Sequence, residues 1–149
     1  MRPALILLVT PSNCAVDEIV SRLISSGILG SDGLSRKPRV VRVGQIEKMV
    51  SPHAKVFSYV QASVSVHLDE LVKRKLAFAE HTGKPTERRK QLERQVLENA
   101  EIIASTLVGS GCDTLLRLSR KKGAEGGGVV GGTFFDVIVV DEATQVCEL

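Results

Sequence analysis

The chain has 149 residues, with 20 lysines and arginines against 17 aspartates and glutamates, a formal net charge of +3 and 43% hydrophobic residues. These values exclude a disordered charged tail and a fibrous repeat, and they suit one domain that buries a core. Three widely spaced cysteines exclude a disulfide framework and lack the paired spacing of a zinc site, so we expect a reducing compartment.

An apolar run begins almost at the first residue. It covers residues 4–9 and ends at Thr10-Pro11. The run is too short for the core of a secretory signal or for a bilayer span of about 20 residues. We therefore expect a β-strand and no membrane partner. A buried strand so close to residue 1 leaves open that the chain is part of a longer protein.

Four short apolar runs predict β-strands. Residues 4–9 and 137–140 are uninterrupted, which is typical of strands covered on both faces in a parallel sheet flanked by helices. The other runs cover residues 39–43 and 101–106, and the last run begins at Phe135. The segments between them are long enough for crossover helices. The sequence therefore predicts an α/β domain with a mostly parallel sheet, in which ligands bind at the carboxyl ends of the strands.

The segment after the first strand predicts a helix. Ser12 and Asn13 are residue types that cap helices. Asp17 and Glu18 are expected in the first turn, where the helix dipole favours negative charge. Gly27 is a typical helix end.

Residues 68–100 predict a helical hairpin inserted in the domain. Apolar residues recur at helical spacing on both sides of a break at Gly83-Lys84-Pro85. Residues 73–75 and 88–90 are all basic, so we expect much of the hairpin to project from the sheet into solvent. Interspersed acids favour a solvated face over direct RNA contact. Residues 121–133 are rich in glycine and predict a flexible loop.

Two carboxylates, Asp141 and Glu142, directly follow the last predicted strand. Adjacent charges at the end of a buried strand are costly unless a cation or a reacting water lies in front of them. In P-loop NTPases such an Asp holds Mg²⁺, and a neighbouring Glu can orient or deprotonate the attacking water. The alternative is an apolar strand that simply ends in an acidic turn.

Small polar side chains follow two other predicted strands. Pro11, Ser12 and Asn13 stand at a helix N-terminus, which suits a phosphate, although an ordinary helix cap explains the same residues. Ser105 and Thr106 open a second run of small residues, whose hydroxyls can meet phosphate or sugar. A simple turn is the alternative for that run.

Together these segments resemble superfamily 1 helicases of the senataxin and Upf-like group. The resemblance rests on the runs ILLVTPSNCAVDEIVSRL, PRVVRVG, ASTLVGSG and FDVIVVDEATQVCE, in this order. They are similar to the first RecA-like domain of these enzymes from motif Ia through motif II, and they extend over nearly the whole chain. The senataxin branch is favoured by Val41-Arg42-Val43-Gly44 and by Ser105-Thr106-Leu107.

The resemblance implies an ATP-dependent helicase that uses ATP and Mg²⁺. Asp141 would bind Mg²⁺, Glu142 would activate the hydrolytic water, and Gln145 would lie near the γ-phosphate and couple the state of ATP to nucleic acid. The track for single-stranded RNA or DNA, contacted mainly through its backbone, would be lined by Pro11, Ser12, Asn13, Ser105 and Thr106. The resemblance also implies a nuclear protein, with the cytoplasm as the alternative.

The Walker A loop of this group, which carries a Lys after its second glycine, is expected ahead of motif Ia. Residues 127–133 have glycines at the right separation but Thr133 where Lys is required, and Gly83-Lys84-Pro85-Thr86 lacks the upstream glycine. We therefore expect residues 1–149 to form a partial RecA-like P-loop domain without the Walker A strand and loop. Such a chain would need the missing remainder of the helicase core as a partner, and alone it would neither bind ATP usefully nor hydrolyse it. The alternative is a non-catalytic, degenerate RecA-like module that binds RNA or a protein partner.

The charge is unevenly distributed along the chain. Basic residues dominate residues 36–55, whereas residues 134–149 carry acids and no base. A basic flank beside an acidic end is typical of a nucleic-acid track next to a nucleotide site, and it is equally typical of a solvated surface.

Overall fold

The computed structural model of the protein describes residues 4–30, 32–45, 64–78, 85–120 and 135–145. Its strands are β1 (Ile6–Thr10), β2 (Ile28–Leu29), β3 (Ser35–Arg36), β4 (Val40–Arg42), β5 (Ile102–Thr106) and β6 (Val137–Val140). Its helices are α1 (Asn13–Ser26), α2 (Leu68–Phe78), α3 (Pro85–Glu98), α4 (Leu107–Ser110) and α5 (Asp113–Arg120), followed by a 3-10 turn at Ala143–Gln145. The predicted glycine-rich loop at residues 121–133 lies outside the described residues.

The main sheet has the strand order β4-β5-β1-β6. All of its strand pairs are parallel, and Val9 of β1 lies opposite Ser105 of β5 and Val140 of β6. Strands β2 and β3 form a separate antiparallel pair. The predicted α/β class with a parallel sheet is confirmed, and parallel pairing brings the carboxyl ends of β1, β5 and β6 to one edge.

Side chains alternate between two apolar layers, one on each face of the sheet, as the two-residue period of a strand requires. Leu8 of β1 and Ala104 of β5 belong to the layer that packs against α1. Leu7 of β1 and Ile103 of β5 belong to the opposite layer. The helices α2 and α3 contribute Leu68, Val72, Val96 and Leu97 to that second layer.

The helices α2 and α3 therefore cover one face of the sheet, and the expectation that this segment largely projects into solvent is wrong. Val72 and Leu97 have no exposed surface. The reason is that apolar residues spaced three or four apart form a continuous stripe on each helix. The basic residues 73–75 lie off that stripe and stay exposed. Heavy charge on a helix is thus compatible with a buried face.

Strand β6 differs from the prediction of a strand covered on both faces. Its four residues are between 43% and 55% exposed. Within the described ranges, β6 pairs with β1 on one side and no strand lies on its other side. Continuous hydrophobicity therefore identified the strand without fixing how far it is covered.

Helix α1 begins and ends where its sequence predicts, but its first turn holds no acidic residue, so the prediction that Asp17 and Glu18 lie there is wrong. The Ser12 hydroxyl accepts a hydrogen bond from the Ala15 backbone N–H at 3.2 Å, which makes Ser12 the N-cap. Gly27 ends the helix with a φ of +75°, and a Cβ at this position would lie 2.6 Å from the Arg36 carbonyl oxygen. None of the helices in the described ranges is long and apolar enough to cross a membrane.

Candidate functional site

The carboxyl ends of β1, β5 and β6 adjoin one another. Thr10 of β1 lies opposite Thr106 of β5. On the other side, the backbone N–H of Asp141 donates to the Val9 carbonyl oxygen at 2.9 Å, which continues the pairing one residue past β6. The structure therefore brings the polar residues after β1 and β5 and the carboxylates after β6 to one edge of the sheet.

The two carboxylates lie in a sharp change of chain direction after β6. Asp141 is half-buried and Glu142 is exposed. Glu142 has a φ of +50°, in the left-handed region that costs a residue with a Cβ about 1–2 kcal/mol. The 3-10 turn Ala143–Gln145 follows at once, and the described part of Gln145 is its backbone. A glutamate at a position that favours glycine is the kind of strained residue that clusters at functional sites.

Asp141 fits Mg²⁺ as a partial set of ligands. In the ranges that the structure describes, no group of three or more His, Cys, Asp or Glu side chains could hold a metal ion. Mg²⁺ commonly binds one or two carboxylates and completes its octahedral shell with water and substrate phosphates. Asp141 as a single carboxylate ligand matches that pattern and does not match an all-protein metal cage.

At the end of β1, the hydroxyls of Thr10 and Ser12 each form one hydrogen bond with the backbone. The buried Thr10 donates from Oγ1 to the Ser12 carbonyl oxygen at 2.8 Å. Ser12 Oγ is exposed and accepts from the backbone of α1, so its own hydroxyl hydrogen remains available to a ligand. Pro11 is also exposed.

At the end of β5, the two hydroxyls have different surroundings. Thr106 is half-buried and its Oγ1 accepts from the Gly109 backbone N–H at 3.0 Å, which leaves its hydroxyl hydrogen to donate. Ser105 is fully buried, and its Oγ has no hydrogen-bond partner among the described residues. A Cβ at Gly109 would lie 2.7 Å from this oxygen, so α4 packs directly over Ser105. The Ser105 side chain is not open to a nucleic acid in this conformation.

The sequence analysis missed that Arg42 is a buried cation next to the start of α1. Arg42 has no exposed surface, and its Nε lies 3.1 Å from Oδ1 of the equally buried Asp17. Its Nη2 donates to Asn13 Oδ1 at 2.7 Å, and its Nη1 donates to the Val43 carbonyl oxygen. Burial lowers the pKa of Arg42, and the hydrogen bond and charge of Asp17 oppose that change.

The sequence held a signal for this contact. Arg42 is two residues after Val40 within an apolar strand, so both side chains face the α1 layer. Asn13 and Asp17 are four residues apart and share one face of α1. The expected roles of Asp17 as a dipole partner and of Arg42 as part of a basic surface are both corrected by this pairing.

A buried histidine joins the start of α2 to the end of β4. His67 Nδ1 accepts from the Asp69 backbone N–H at 3.2 Å, so the proton of the neutral ring lies on Nε2, 3.0 Å from the Gly44 carbonyl oxygen. Burial is the main cause that lowers the pKa of His67; the charge of Arg42 acts in the same direction, and the hydrogen bond to Gly44 and the nearby acids oppose it.

The basic flank predicted for residues 36–55 is not one surface within the described residues. Arg36 and Arg39 lie near the amino ends of β4 and β5, at the edge opposite the carboxylates. Both pair with Glu101, at 2.8 Å from Arg36 Nη1 and 3.4 Å from Arg39 Nη2. Arg42 lies in the interior, Lys37 is exposed, and the lysines at positions 48 and 55 are outside the described ranges. Ion pairs within the chain therefore involve Arg36, Arg39 and Arg42, three of the basic residues predicted to form the track.

Glu101 is held ionised by this cluster. Burial on its own would raise the pKa of Glu101. The hydrogen bonds from the Arg36 side chain and the Arg39 backbone, together with both arginine charges, outweigh burial and lower the pKa.

The chain is similar to known proteins over nearly its whole length. The chain matches the family described as an AAA domain over residues 1–84 and 65–149. It is 33% identical over 153 residues to a probable helicase of Dictyostelium discoideum, covering 96% of this chain and 14% of that protein. It is also 32% identical to the probable helicase MAGATAMA 3 of Arabidopsis thaliana and to a regulator of nonsense transcripts 1 homolog of Neurospora crassa. Each match covers 96% of this chain, but the chain spans only between 12% and 15% of the length of these three relatives.

Proposed function

Because this chain belongs to the AAA-domain family and is similar to superfamily 1 helicases of the Upf-like group, we propose that it is part of a motor that couples Mg-ATP hydrolysis to movement along single-stranded nucleic acid. The observation that carries this proposal is the meeting of the β1, β5 and β6 ends at one edge of the sheet. That edge combines hydrogen-bond donors with carboxylates, and a motor needs both.

The donors support a track for a nucleic-acid backbone. The hydroxyls of Ser12 and Thr106 each accept a backbone N–H and retain a hydrogen to donate. Phosphate oxygens only accept, so an edge left with donors matches a phosphodiester chain and contacts it without reading its sequence. Pro11 and Asn13 complete this contact surface, and Ser105 is left out of it because its hydroxyl is buried.

The carboxylates support the hydrolytic site. Asp141 would hold Mg²⁺ and Glu142 would orient and deprotonate the attacking water, with Gln145 linking this site to the track. Bound Mg²⁺ supplies charge neutralisation at the phosphates. The strained backbone of Glu142 favours such a role over a simple acidic turn. By the same resemblance we place the motor in the nucleus, on the senataxin branch.

The track is tested by fluorescence anisotropy of a labelled single-stranded oligonucleotide with the 149-residue chain. We expect binding that weakens steeply as salt rises, because phosphate contacts release counterions. Ser12→Asp keeps a helix cap but adds a negative charge, and it should weaken binding by about tenfold or more. Ser25→Asp, at the other end of α1, is the control and should stay within about twofold. Equal effects of the two variants would contradict the track.

The metal site is tested by adding Mn²⁺ as a paramagnetic substitute for Mg²⁺. In NMR spectra of the chain, amide signals near residue 141 should broaden first, and Asp141→Asn should remove this effect. Asp136→Asn makes the same change at the amino end of β6, where Asp136 accepts from the Leu5 backbone N–H at 2.8 Å. Broadening that survives Asp141→Asn would assign the metal elsewhere.

A further inference from the structure

The side-chain amide of Asn13 is held by a buried cation. Arg42 Nη2 lies 2.7 Å from Asn13 Oδ1. A guanidinium only donates hydrogen bonds, so the atom facing it must be the amide oxygen. The NH₂ group of an amide lies on the other side of its carbon, and Asn13 Nδ2 is therefore turned away from Arg42.

Arg42 is itself fixed and cannot easily follow a moving partner. It has no exposed surface, and two of its other N–H groups donate to Asp17 Oδ1 and to the Val43 carbonyl oxygen. The planar guanidinium reaches Asp17 and Asn13 at once through different nitrogens, which the single ammonium of a lysine cannot do with the same geometry. Packing of α1 on β4 thus sets the direction of the Asn13 amide.

The hydrogens on Asn13 Nδ2 are left for a ligand. Asn13 is half-buried and partly open to solvent at the start of α1. Of the residues in the described ranges, none accepts a hydrogen bond from Nδ2. The adjacent Ser12 hydroxyl also has a hydrogen to donate, so two consecutive residues offer donors at the start of α1.

We propose that Arg42 is a positioning residue that turns the Asn13 amide so that its N–H donors select a phosphate oxygen of single-stranded nucleic acid. This inference rests on the track proposed above. It adds that a buried arginine, which does not contact the ligand, determines that the N–H groups of the Asn13 amide and not its oxygen face the ligand.

A matched pair of substitutions tests the polarity. Asn13→Asp keeps an oxygen for Arg42 but removes the outward donors. Asn99→Asp makes the same change in net charge at the opposite edge of the sheet, where the exposed Asn99 donates to the Gln95 carbonyl oxygen. Asn13→Asp should weaken oligonucleotide binding by about tenfold or more, as expected for losing a hydrogen bond to a charged group. Asn99→Asp should change it by less than about twofold.

Arg42→Lys tests whether the arginine acts through Asn13. In the wild-type background it should weaken oligonucleotide binding about threefold to tenfold, because the amide loses its fixed direction. In the Asn13→Asp background it should have no further effect, since the donors that it positions are already gone. A merely structural role would lower binding equally in both backgrounds. Thermal unfolding of each variant checks that it folds. If Arg42→Lys does not fold, the comparison of Asn13→Asp with Asn99→Asp still tests whether the Asn13 amide donates to the oligonucleotide.

The outcomes separate the two proposals. If the wild-type chain binds the oligonucleotide and Asn13→Asp binds it as Asn99→Asp does, the track stands and the positioning role is wrong. An equal loss from Arg42→Lys in both backgrounds would also overturn the positioning role. If the wild-type chain binds no single-stranded oligonucleotide at low salt, the track fails and the positioning role fails with it.

Discussion

Two arginine–carboxylate clusters come from the same short stretch of chain and lie in opposite environments. In one, Arg42 and Asp17 have side chains that are 0% and 3% exposed. In the other, Arg36 and Arg39 are 52% and 61% exposed around a Glu101 side chain that is 10% exposed. The buried pair lies behind the candidate site and the exposed cluster lies at the far edge of the sheet. Water can replace a lost partner of the exposed arginines but not of the buried one. Removal of the carboxylate should therefore lower the free energy of unfolding more in the buried pair than in the exposed cluster.

The largest effect is expected from Asp17→Ala. This change leaves the Arg42 charge buried without its carboxylate and should lower the free energy of unfolding by about 3–5 kcal/mol. Urea unfolding followed by circular dichroism measures the loss. Glu18→Ala is the control, because the neighbouring Glu18 pairs with Arg22 on the exposed side of α1 and should cost about 0.5 kcal/mol. Similar losses in the two variants would abolish the contrast between buried and exposed pairs.

Glu101→Gln should have an intermediate effect of about 1 kcal/mol at pH 7. The amide oxygen can still accept from the Arg39 backbone N–H, while the attraction to both arginines is lost. Because the folded pKa of Glu101 is lowered, its contribution is present above the ordinary carboxyl pKa of about 4.3 and is lost as the pH falls through the folded value.

The measurement is urea unfolding of the wild type and of Glu101→Gln at several pH and salt values. The difference between them should vanish at low pH and shrink at high salt. The loss from Asp17→Ala should respond much less to salt, since that pair is buried. A Glu101 difference that persists below the folded pKa would refute the exposed-cluster interpretation.

His67 should make stability depend on pH. Its folded pKa is lowered, so below the ordinary pKa of about 6.5 the unfolded chain takes up a proton before the folded chain does. The free energy of unfolding should therefore fall as the pH decreases from 6.5 towards the folded pKa, by at most about 1.4 kcal/mol per pH unit for one proton. His67→Gln should flatten this slope. His81→Gln, at a position outside the described residues, shows how much of the slope belongs to histidines in general.

The smallest effect is expected at the carboxylates. Glu142→Gly relieves a φ of +50° and should raise the free energy of unfolding by about 0.5–1 kcal/mol, after allowance for the more flexible unfolded chain. Glu142→Ala keeps the Cβ and should give no such gain. Chemical denaturation of both variants distinguishes a strained position from an ordinary turn. Equal free energies of unfolding would show that the backbone of Glu142 is not strained.

Most of the main sheet and helix α1 could be predicted from local patterns. Apolar runs located the strands, and Ser12 and Gly27 located the ends of α1, because caps depend on neighbours in sequence. The nearness of Thr10, Thr106 and Asp141 followed from parallel pairing alone. These features need no knowledge of which side chain meets which.

The rest depends on contacts between residues distant in sequence. The residue type of Arg42 does not show that α1 covers its face of β4, so the sequence predicted that Arg42 is exposed like Arg36 and Arg39. The hydroxyl of Ser105 gives no sign that α4 packs over it. The exposure of β6 depends on what lies beside it, and the basic residues of α2 concealed an apolar stripe. The residue types along the chain therefore predicted poorly which side chains are buried in the fold.

The tie between α2 and β4 has a mechanical consequence. The Arg42 backbone N–H donates to the Val66 carbonyl oxygen at 3.0 Å, and His67 meets the Gly44 carbonyl oxygen just beyond. The same Arg42 holds Asn13 through its side chain. A displacement of α2 should therefore reach the start of α1 through these hydrogen bonds at the end of β4, as well as through the apolar layer that α2 shares with the sheet.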